Sequence, residues 1–379
     1  MTIKVYSSAQ TGAPVLSGQA GSLIAVLDAC LLNGFNLNTL DSLAFASGVA
    51  TANVASGHGY REYDIVLISG ANQGEYNGEQ RIRNVSATSF QFDVSGAPAS
   101  PATGTLTAKI VPLNWASPFV GTHKAVYRSA DAGASGLCLR VNDSTTTYAA
   151  IRGYESMSDV DTGLGTFPTT AQMAEPHCCW RKSSTVDATA RPWLLIGDGK
   201  RFYFFSRFHA SYAQYAGYFF GDVNSYKAGD AYGCALISES SSSAASYPGH
   251  YNNFASLSNT LTSTQAGRYV ARNYNQIGSA LPFGFFGEYV VSTVMGVSGM
   301  PYPSPVDNGL YVSAVAVNHG GILRGAMPGL YQPLHFRPIP HGDTVSDLVG
   351  LPDKTLLGVV TPDNSTDSMV MIDITGPWD

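Results

Sequence analysis

Charge is what this chain has least of. Asp, Glu, Lys and Arg make up 13% of its 379 residues, where an ordinary soluble domain carries about 25%. A protein that stays alone in water relies on a charged surface of mixed sign to keep its neighbours apart. A surface of small polar and aromatic groups costs less to strip of water, which suits permanent contact with other subunits. The shortage of charge therefore predicts a component of an assembly.

Other absences narrow the field. The formal net charge is −6 and the densest basic cluster is Arg181-Lys182. That is too little to hold a phosphate backbone, and no nucleic-acid partner is expected. No stretch approaches the roughly 18 uninterrupted apolar residues of a spanning helix, so no membrane insertion is expected. Met1 to Ser8 holds one lysine, and the apolar run over 23–32 is broken by Asp28. Such a start does not read as a secretory signal, and synthesis in a cytosol is expected. The five cysteines, Cys30, Cys138, Cys178, Cys179 and Cys234, are odd in number, which speaks against a disulfide framework. They read as small buried apolar side chains. The Cys178-Cys179 pair has His177 beside it but no second Cys-x-x-Cys to complete a metal site.

In place of charge there are 40 Gly, 21 Tyr and 17 Phe. One helix is well specified: Leu23, Val26, Leu27, Cys30 and Leu31 recur at helical spacing, with Ser22 as a cap and Gly34 as terminator. Beyond it the pattern turns to β. Residues 64–69, 81–85, 89–94 and 104–110 alternate or run apolar as strands do, with Gly70–Gly74 and the Pro98/Pro101 loop between them. Trp193 to Ile196, Asp198-Gly199 and Arg201 to Phe205 form a hairpin signature. Tyr218 to Phe220, 233–237, Tyr289 to Val291 and 309–317 are further strands, and Thr170 to Ala174 a helical turn. The Ser-rich 238–246 stretch, Pro301/Pro303/Pro305 and Pro328/Pro333/Pro338/Pro340 read as loops. The predicted fold is mainly β: a sandwich- or barrel-like body with one N-terminal helix and an inserted small β domain. The domains expected are 1–40 (strand and helix of the main body), 41–112 (the inserted module) and 113–379 (the main β-rich body).

No chemistry assembles from motifs. Metalloprotease, phosphate-loop and nucleophile-elbow patterns are missing, and Gly296-Val-Ser-Gly299 lacks the elbow's spacing. The histidines His58, His123, His177, His209, His250, His319, His335 and His341 stand singly and read as satisfied or surface residues. Asp222 and Asp230 each follow a glycine, but Val223, Tyr226 and Lys227 break the alternation a calcium loop requires, leaving turn formation. Glycoside hydrolysis needs two carboxylates flanking a bond; Glu155, Asp159, Asp161, Glu239 and Glu288 are available without reason to pair any two. Trp115, Trp180, Trp193 and Trp378 could stack on sugars, although Trp193 opens a strand and reads as core. No catalytic, cofactor-binding or metal-binding residue is assigned, and no cofactor is expected.

Several stretches together resemble virion proteins of long-tailed bacteriophages. They are Trp180-Arg-Lys-Ser-Ser184, Arg191-Pro-Trp-Leu-Leu-Ile-Gly-Asp-Gly199 with Phe202-Tyr203, and Phe220-Gly-Asp222 with Gly229-Asp230. Arg324-Gly-Ala-Met-Pro-Gly-Leu-Tyr331, Pro333-Leu-His335 and Thr375-Gly-Pro-Trp378 belong with them, as do Lys4-Val-Tyr6 and Gly12-Ala-Pro14 at the start. The insert, with Gly70, Tyr76-Asn-Gly78 and Pro101-Ala-Thr-Gly104, is similar to small β modules of phage tail proteins. The resemblance implies a structural tail or baseplate subunit in the virion, a homo-oligomer of three-fold or six-fold symmetry, with a trimer expected first, bound to other tail proteins. It brings no catalytic residues. Two alternatives follow. One is a receptor-binding tail protein that engages a host-surface glycan or pilus through the module or the 238–253 loop. The other is a virion-associated enzyme degrading wall or capsule polymers.

Overall fold

Two neighbouring strands, Trp193–Gly197 and Arg201–Ser206, are buried along their whole length on both faces. The body of the protein is stacked around them. The computed structural model describes residues 2–173, 178–239, 267–286, 301–335, 338–363 and 366–378. Within these the central sheet runs, in spatial order, Lys4–Ser7, Trp193–Gly197, Arg201–Ser206, Ala216–Asp222, Cys234–Ile237, Arg268–Val270 and Leu281–Pro282, every pair antiparallel. Successive side chains of a strand point to opposite faces. Leu195, Phe202, Phe204, Tyr218 and Phe220 accordingly enter one hydrophobic cluster, while Ile196, Tyr203, Phe205 and Phe219 enter another.

Each cluster is closed by a further sheet. On the first face lies an outer sheet ordered Gly163–Phe167, Tyr148–Met157, Cys138–Asn142, Lys124–Arg128, Ala116–Gly121, with Cys178–Arg181 also paired to Tyr148–Met157. It contributes Tyr127, Leu139, Ile151 and Trp180 to the shared core. Trp180 stacks on Tyr218 at 5.6 Å and on Phe204 at 5.7 Å between ring centroids, each such pair adding about 0.5–1.5 kcal/mol beyond area burial. On the second face lies a C-terminal sheet ordered Gly284–Phe286, Val312–His319, Ile322–Pro333, Thr366–Asp373, Leu356–Asp363, Thr344–Val345. It contributes Val317, Leu330, Val359 and Ile372. The body is thus mainly β as expected, with three layers where a sandwich has two, and no sheet closes into a barrel among the described residues.

The smaller module consists of two antiparallel sheets. One is ordered Phe35–Thr39, Gly104–Ile110, Ile65–Ala71, Gly78–Arg81, and the other Ser42–Ala46, Val49–Asn53, Ser89–Asp93. Phe35–Thr39 pairs with Gly104–Ile110, so the sheets begin at Phe35, ahead of residue 41. The strand expected at 81–85 ends at Arg81; Arg83 makes only an isolated bridge with Gln91. Gly70 marks a register shift: its φ is +84°, and a Cβ there would lie 1.9 Å from the Thr105 carbonyl oxygen. The module's interior (Leu43, Ile68, Phe90, Phe92) belongs to the same apolar cluster as Trp180 and Phe204, which also holds Leu31, Phe35, Leu113 and Trp115.

The helix appears as Ser22–Leu27, continued as π-helix over Asp28–Asn33, and ends at Gly34 with φ +69°. Ser22 does not cap it; the Ser22 hydroxyl donates to Ser17 O at 2.8 Å, and Gly21 holds the cap position. Pro328 and Pro333, read as loop residues, lie in the strand Ile322–Pro333. Pro328 is tolerated because the pairing jumps from Ala316–Ala326 to Ala314–Tyr331, leaving it in a bulge where no ladder N–H is needed. The strand expected at Tyr289 to Val291 lies outside the described residues, as does most of the Ser-rich stretch. Of the latter, Ser238 and Glu239 are buried.

Candidate functional site

Some of the few charges the chain has lie inside it. Of 21 Lys and Arg and 27 Asp and Glu, eleven are buried among the described residues: Lys4, Asp143, Arg181, Lys182, Arg191, Asp198, Arg201, Glu239, Arg268, Arg324 and Asp373. Four ion pairs have both side chains almost fully enclosed. They are Arg181–Glu239 at 2.8 Å, Lys182–Asp143, Arg201–Asp198 at 3.4 Å and Arg324–Asp230 at 2.9 Å. A buried charge is tolerated when its remaining donors and acceptors are also filled. Glu239 accepts from Arg181 Nε and from the Tyr218 hydroxyl, both at 2.8 Å. Asp230 takes both Nε (3.0 Å) and Nη2 (2.9 Å) of Arg324, with the Ser225 hydroxyl at 2.7 Å. These pairs draw on the same short stretches that carry the tail-protein resemblance: Arg181, Lys182, Asp198, Asp230 and Arg324. Their work is internal, and these charges are not presented to solvent.

The residues singled out for possible chemistry are also absorbed by the fold. All four tryptophans are buried, and each indole N–H donates to a backbone carbonyl: Trp115 to Asp198, Trp180 to Ile237, Trp193 to Pro14 and Trp378 to Asp373. None is exposed for sugar stacking. The module's Tyr60, Tyr76, Phe90 and Phe92 are buried, and its exposed aromatic is Tyr63. The five cysteines are buried, as their apolar reading expects, and burial pushes each thiol above its usual range.

The carboxylates considered for glycoside hydrolysis are separated in role. Glu155 is gripped by Arg272 through two hydrogen bonds of 2.5 Å. Asp161 is shared by Lys124 and Arg140, and Asp159 accepts the backbone N–H groups of Asp161 and Thr162. Glu239 is buried as described, and Glu288 lies outside the described residues. Lys124 and Arg140 hold the Asp161 carboxyl below the usual range, whereas burial pushes that of Glu239 up. Asp222 and Asp230 do come together on an open polar groove, with Arg201 and Lys227 nearby. Asp222 ends the strand Ala216–Asp222 and accepts the Ser135 N–H at 2.7 Å and the Ser135 hydroxyl at 2.5 Å, a tie across 87 residues where a local turn was expected. Asp230 accepts the nearby Tyr232 N–H at 3.3 Å besides pairing with Arg324. Among the described residues no three His, Cys, Asp or Glu side chains gather as a metal ion would require.

Several histidines serve as acceptors for backbone N–H groups. His58 Nδ1 accepts Tyr60 N–H at 3.0 Å, His335 Nε2 accepts Tyr311 N–H at 2.9 Å, and His341 Nδ1 accepts Val360 N–H at 3.3 Å. His177 and His250 lie outside the described residues.

What the surface offers instead is apolar. Tyr226, Tyr274, Ile277, Ile322 and Leu323 are all exposed, and the three segments that carry them are tied to one another. Tyr226 N–H donates to Arg324 O at 2.8 Å, Gln276 Nε2 to Gly229 O at 2.9 Å, and His319 meets Asn273 Oδ1 at 3.1 Å beside the Tyr274 ring. These exposed apolar side chains therefore stand on segments that meet at one end of the C-terminal sheet, with the exposed Lys227 and Asn275 among them. No signal in the sequence joined these segments, because their proximity depends on the 318–324 hairpin folding over the 272–278 loop.

No protein-family model matches the chain, and no curated protein matches it. Among solved structures it is similar to a phage phi92 endosialidase, with a TM-score of 0.18 and 13% identity over 90% of this chain. The chain spans about half that protein's length, 52%. A superposition that poor does not define a shared fold. Among the described residues no helix is long and apolar enough to cross a membrane.

Proposed function

We propose that the protein is a structural subunit of a bacteriophage tail or baseplate, synthesised in the host cytoplasm and built into the virion near its host-facing end. It assembles there with copies of itself, a trimer being the first expectation, and with neighbouring tail proteins. The observation that carries this reading is the placement of charge: a chain already poor in ionic groups buries eleven of them and leaves Tyr226, Tyr274, Ile277, Ile322 and Leu323 exposed at one end. Obligate interfaces are large and relatively apolar, and charge is depleted at their centres. The tail-protein resemblance of the sequence supports the same reading. No catalytic role is included in it.

Light scattering coupled to size-exclusion chromatography tests the proposal. The expected result is a defined oligomer, reduced to monomer by Ile277→Lys together with Leu323→Lys while the thermal midpoint is kept. A monomer at the highest soluble concentration, unchanged by those substitutions, would overturn the reading.

A further inference from the structure

Of the four enclosed ion pairs among the described residues, three use arginine and one uses lysine. The difference is chemical. A guanidinium stays protonated and is no nucleophile, whereas a lysine that gives up its proton is a free amine. Lys182 Nζ touches Asp143 Oδ1, and neither side chain has any exposed surface. Both backbones are fixed around the pair. Asp143 N–H donates to His123 O at 2.8 Å, Asp143 O accepts the Gly21 N–H at 2.9 Å, and Lys182 N–H donates to Thr147 O at 3.1 Å. The two groups are thus held against each other, the condition under which reacting groups can reach effective concentrations of about 10⁵–10⁸ M.

The surroundings favour the uncharged forms. Burial pushes the Asp143 carboxyl up and the Lys182 ammonium down, each toward neutrality. A proton passing from Nζ to Oδ1 leaves an amine against a carboxylic acid. The other carboxyl oxygen, Oδ2, accepts the Leu23 and Ile24 N–H groups at 2.8 and 3.2 Å. Two fixed donors on that oxygen stabilise the negative charge it gains when an amine attacks Cγ. Oδ1, which takes up protons from Nζ, is the oxygen that leaves. The balance closes within the pair: of the three ammonium protons, two depart with Oδ1 as water and one stays on the amide nitrogen. That last N–H has an acceptor in Gln19 O, to which Nζ donates at 2.7 Å. No co-reactant is needed, and a site closed to solvent hinders hydrolysis of the product.

We propose that Lys182 Nζ and Asp143 Cγ join in an amide bond once the chain has folded, with the ion pair as the state before reaction. The bond closes the chain over 39 residues. It staples the position after Cys138–Asn142 to the position after Cys178–Arg181, two strands that both pair with Tyr148–Met157. The inference does not rest on the assembly reading, since a single chain holds both partners. The test is the intact mass of the full chain, kept folded at neutral pH and then denatured, followed by peptide mapping. A mass one water below that of the sequence is expected, traced to a branched peptide joining Asp143 to Lys182. Lys182→Arg keeps the charge without a free amine and should restore the full mass. If that variant fails to fold, fragmentation of the wild-type branched peptide decides alone. Two results would overturn the proposal: the full sequence mass in the folded chain, or a lost water that maps elsewhere, as imide formation at Asp198-Gly199 would give. Chains that keep the full mass are those whose stability reports the ion pair by itself.

Discussion

Asp143 and Lys182 form an ion pair from which solvent is wholly excluded, and the same carboxylate closes the start of a helix more than a hundred residues earlier. Both side chains have no exposed surface. Asp143 Oδ2 accepts the N–H groups of Leu23 at 2.8 Å and Ile24 at 3.2 Å, while Lys182 also donates to Gln19 O at 2.7 Å. The first turn of Ser22–Leu27 is thus capped by a residue that no local reading could nominate.

Removing one partner of such a pair strands the other. Lys182→Met is expected to cost about 3–5 kcal/mol, because it leaves a carboxylate buried without its counter-ion. Asp143→Asn keeps an acceptor for Leu23 and Ile24 but strands the ammonium, at similar cost. The double variant should recover much of the loss, since a neutral cap and a neutral Met leave no uncompensated charge. Urea unfolding of the four proteins gives the coupling energy; simple additivity would show that the two groups do not act as a pair.

Acid should destabilise the fold first through histidine. Burial holds His58, His209 and His319 below the ordinary value of 6.5. A depressed folded value means that the unfolded chain takes up the proton first as pH falls. The stability these rings contribute is full above pH 6.5 and is lost as pH drops from there towards the folded values. Buried carboxylates work the other way at lower pH. Asp143, Asp222 and Glu239 are raised by burial, so the folded chain accepts their protons more readily. The thermal midpoint should therefore fall across the histidine window, and His58→Phe should flatten that slope. A midpoint independent of pH from about 7 to about 5.5 would contradict the assignment.

The layering makes a second stability prediction. Phe204 faces the outer sheet and Tyr203 the C-terminal sheet, although they are adjacent. Phe204→Ala removes the ring against which Trp180 and Tyr218 pack and should cost about 3–5 kcal/mol. Tyr203→Phe keeps the volume but removes the 2.8 Å hydrogen bond to Pro328 O, and should cost about 1–3 kcal/mol. Denaturant midpoints at unchanged slope measure both. A Phe204→Ala loss below that of Tyr203→Phe would contradict the three-layer core.

These residues also show where the sequence was legible. The hairpin over 193–206 was readable because β-forming aromatics flank Asp198-Gly199, although the turn uses Asp198 differently. Its carboxylate accepts the N–H groups of Lys200 at 2.8 Å and Arg201 at 3.0 Å. That its two faces serve different layers was hidden, since a strand buried on both sides shows no alternation. The strand Ile322–Pro333 was masked by Pro328 and Pro333, residues that usually end strands and here sit at a bulge and a strand end. Cys138–Asn142 and Tyr148–Met157 went unread as strands, and the antiparallel pairing that sets Arg140 opposite Arg152 went unread with them. The buried ion pairs lay beyond reach for a different reason: Asp143 and Lys182 acquire meaning only when segments distant in sequence meet.

The bulge that hides Pro328 also fixes the end of the chain. Gly329 has a φ of +61°, and a Cβ there would stand 2.2 Å from the Trp378 indole nitrogen. Trp378 is buried against Tyr203 at 5.6 Å and donates to Asp373 O at 2.8 Å. Gly329→Ala therefore meets two penalties, a left-handed backbone that disfavours a side chain and a collision with a ring that has little room to shift. The expected outcome is displacement of the indole, with a red shift of tryptophan fluorescence and a loss of roughly 2–4 kcal/mol from the vacated contacts and strain. Trp378→Ala in the same background should add little further loss, because the ring has already left its site. If Gly329→Ala alone leaves both emission and stability unchanged, the C-terminal segment does not pack as described.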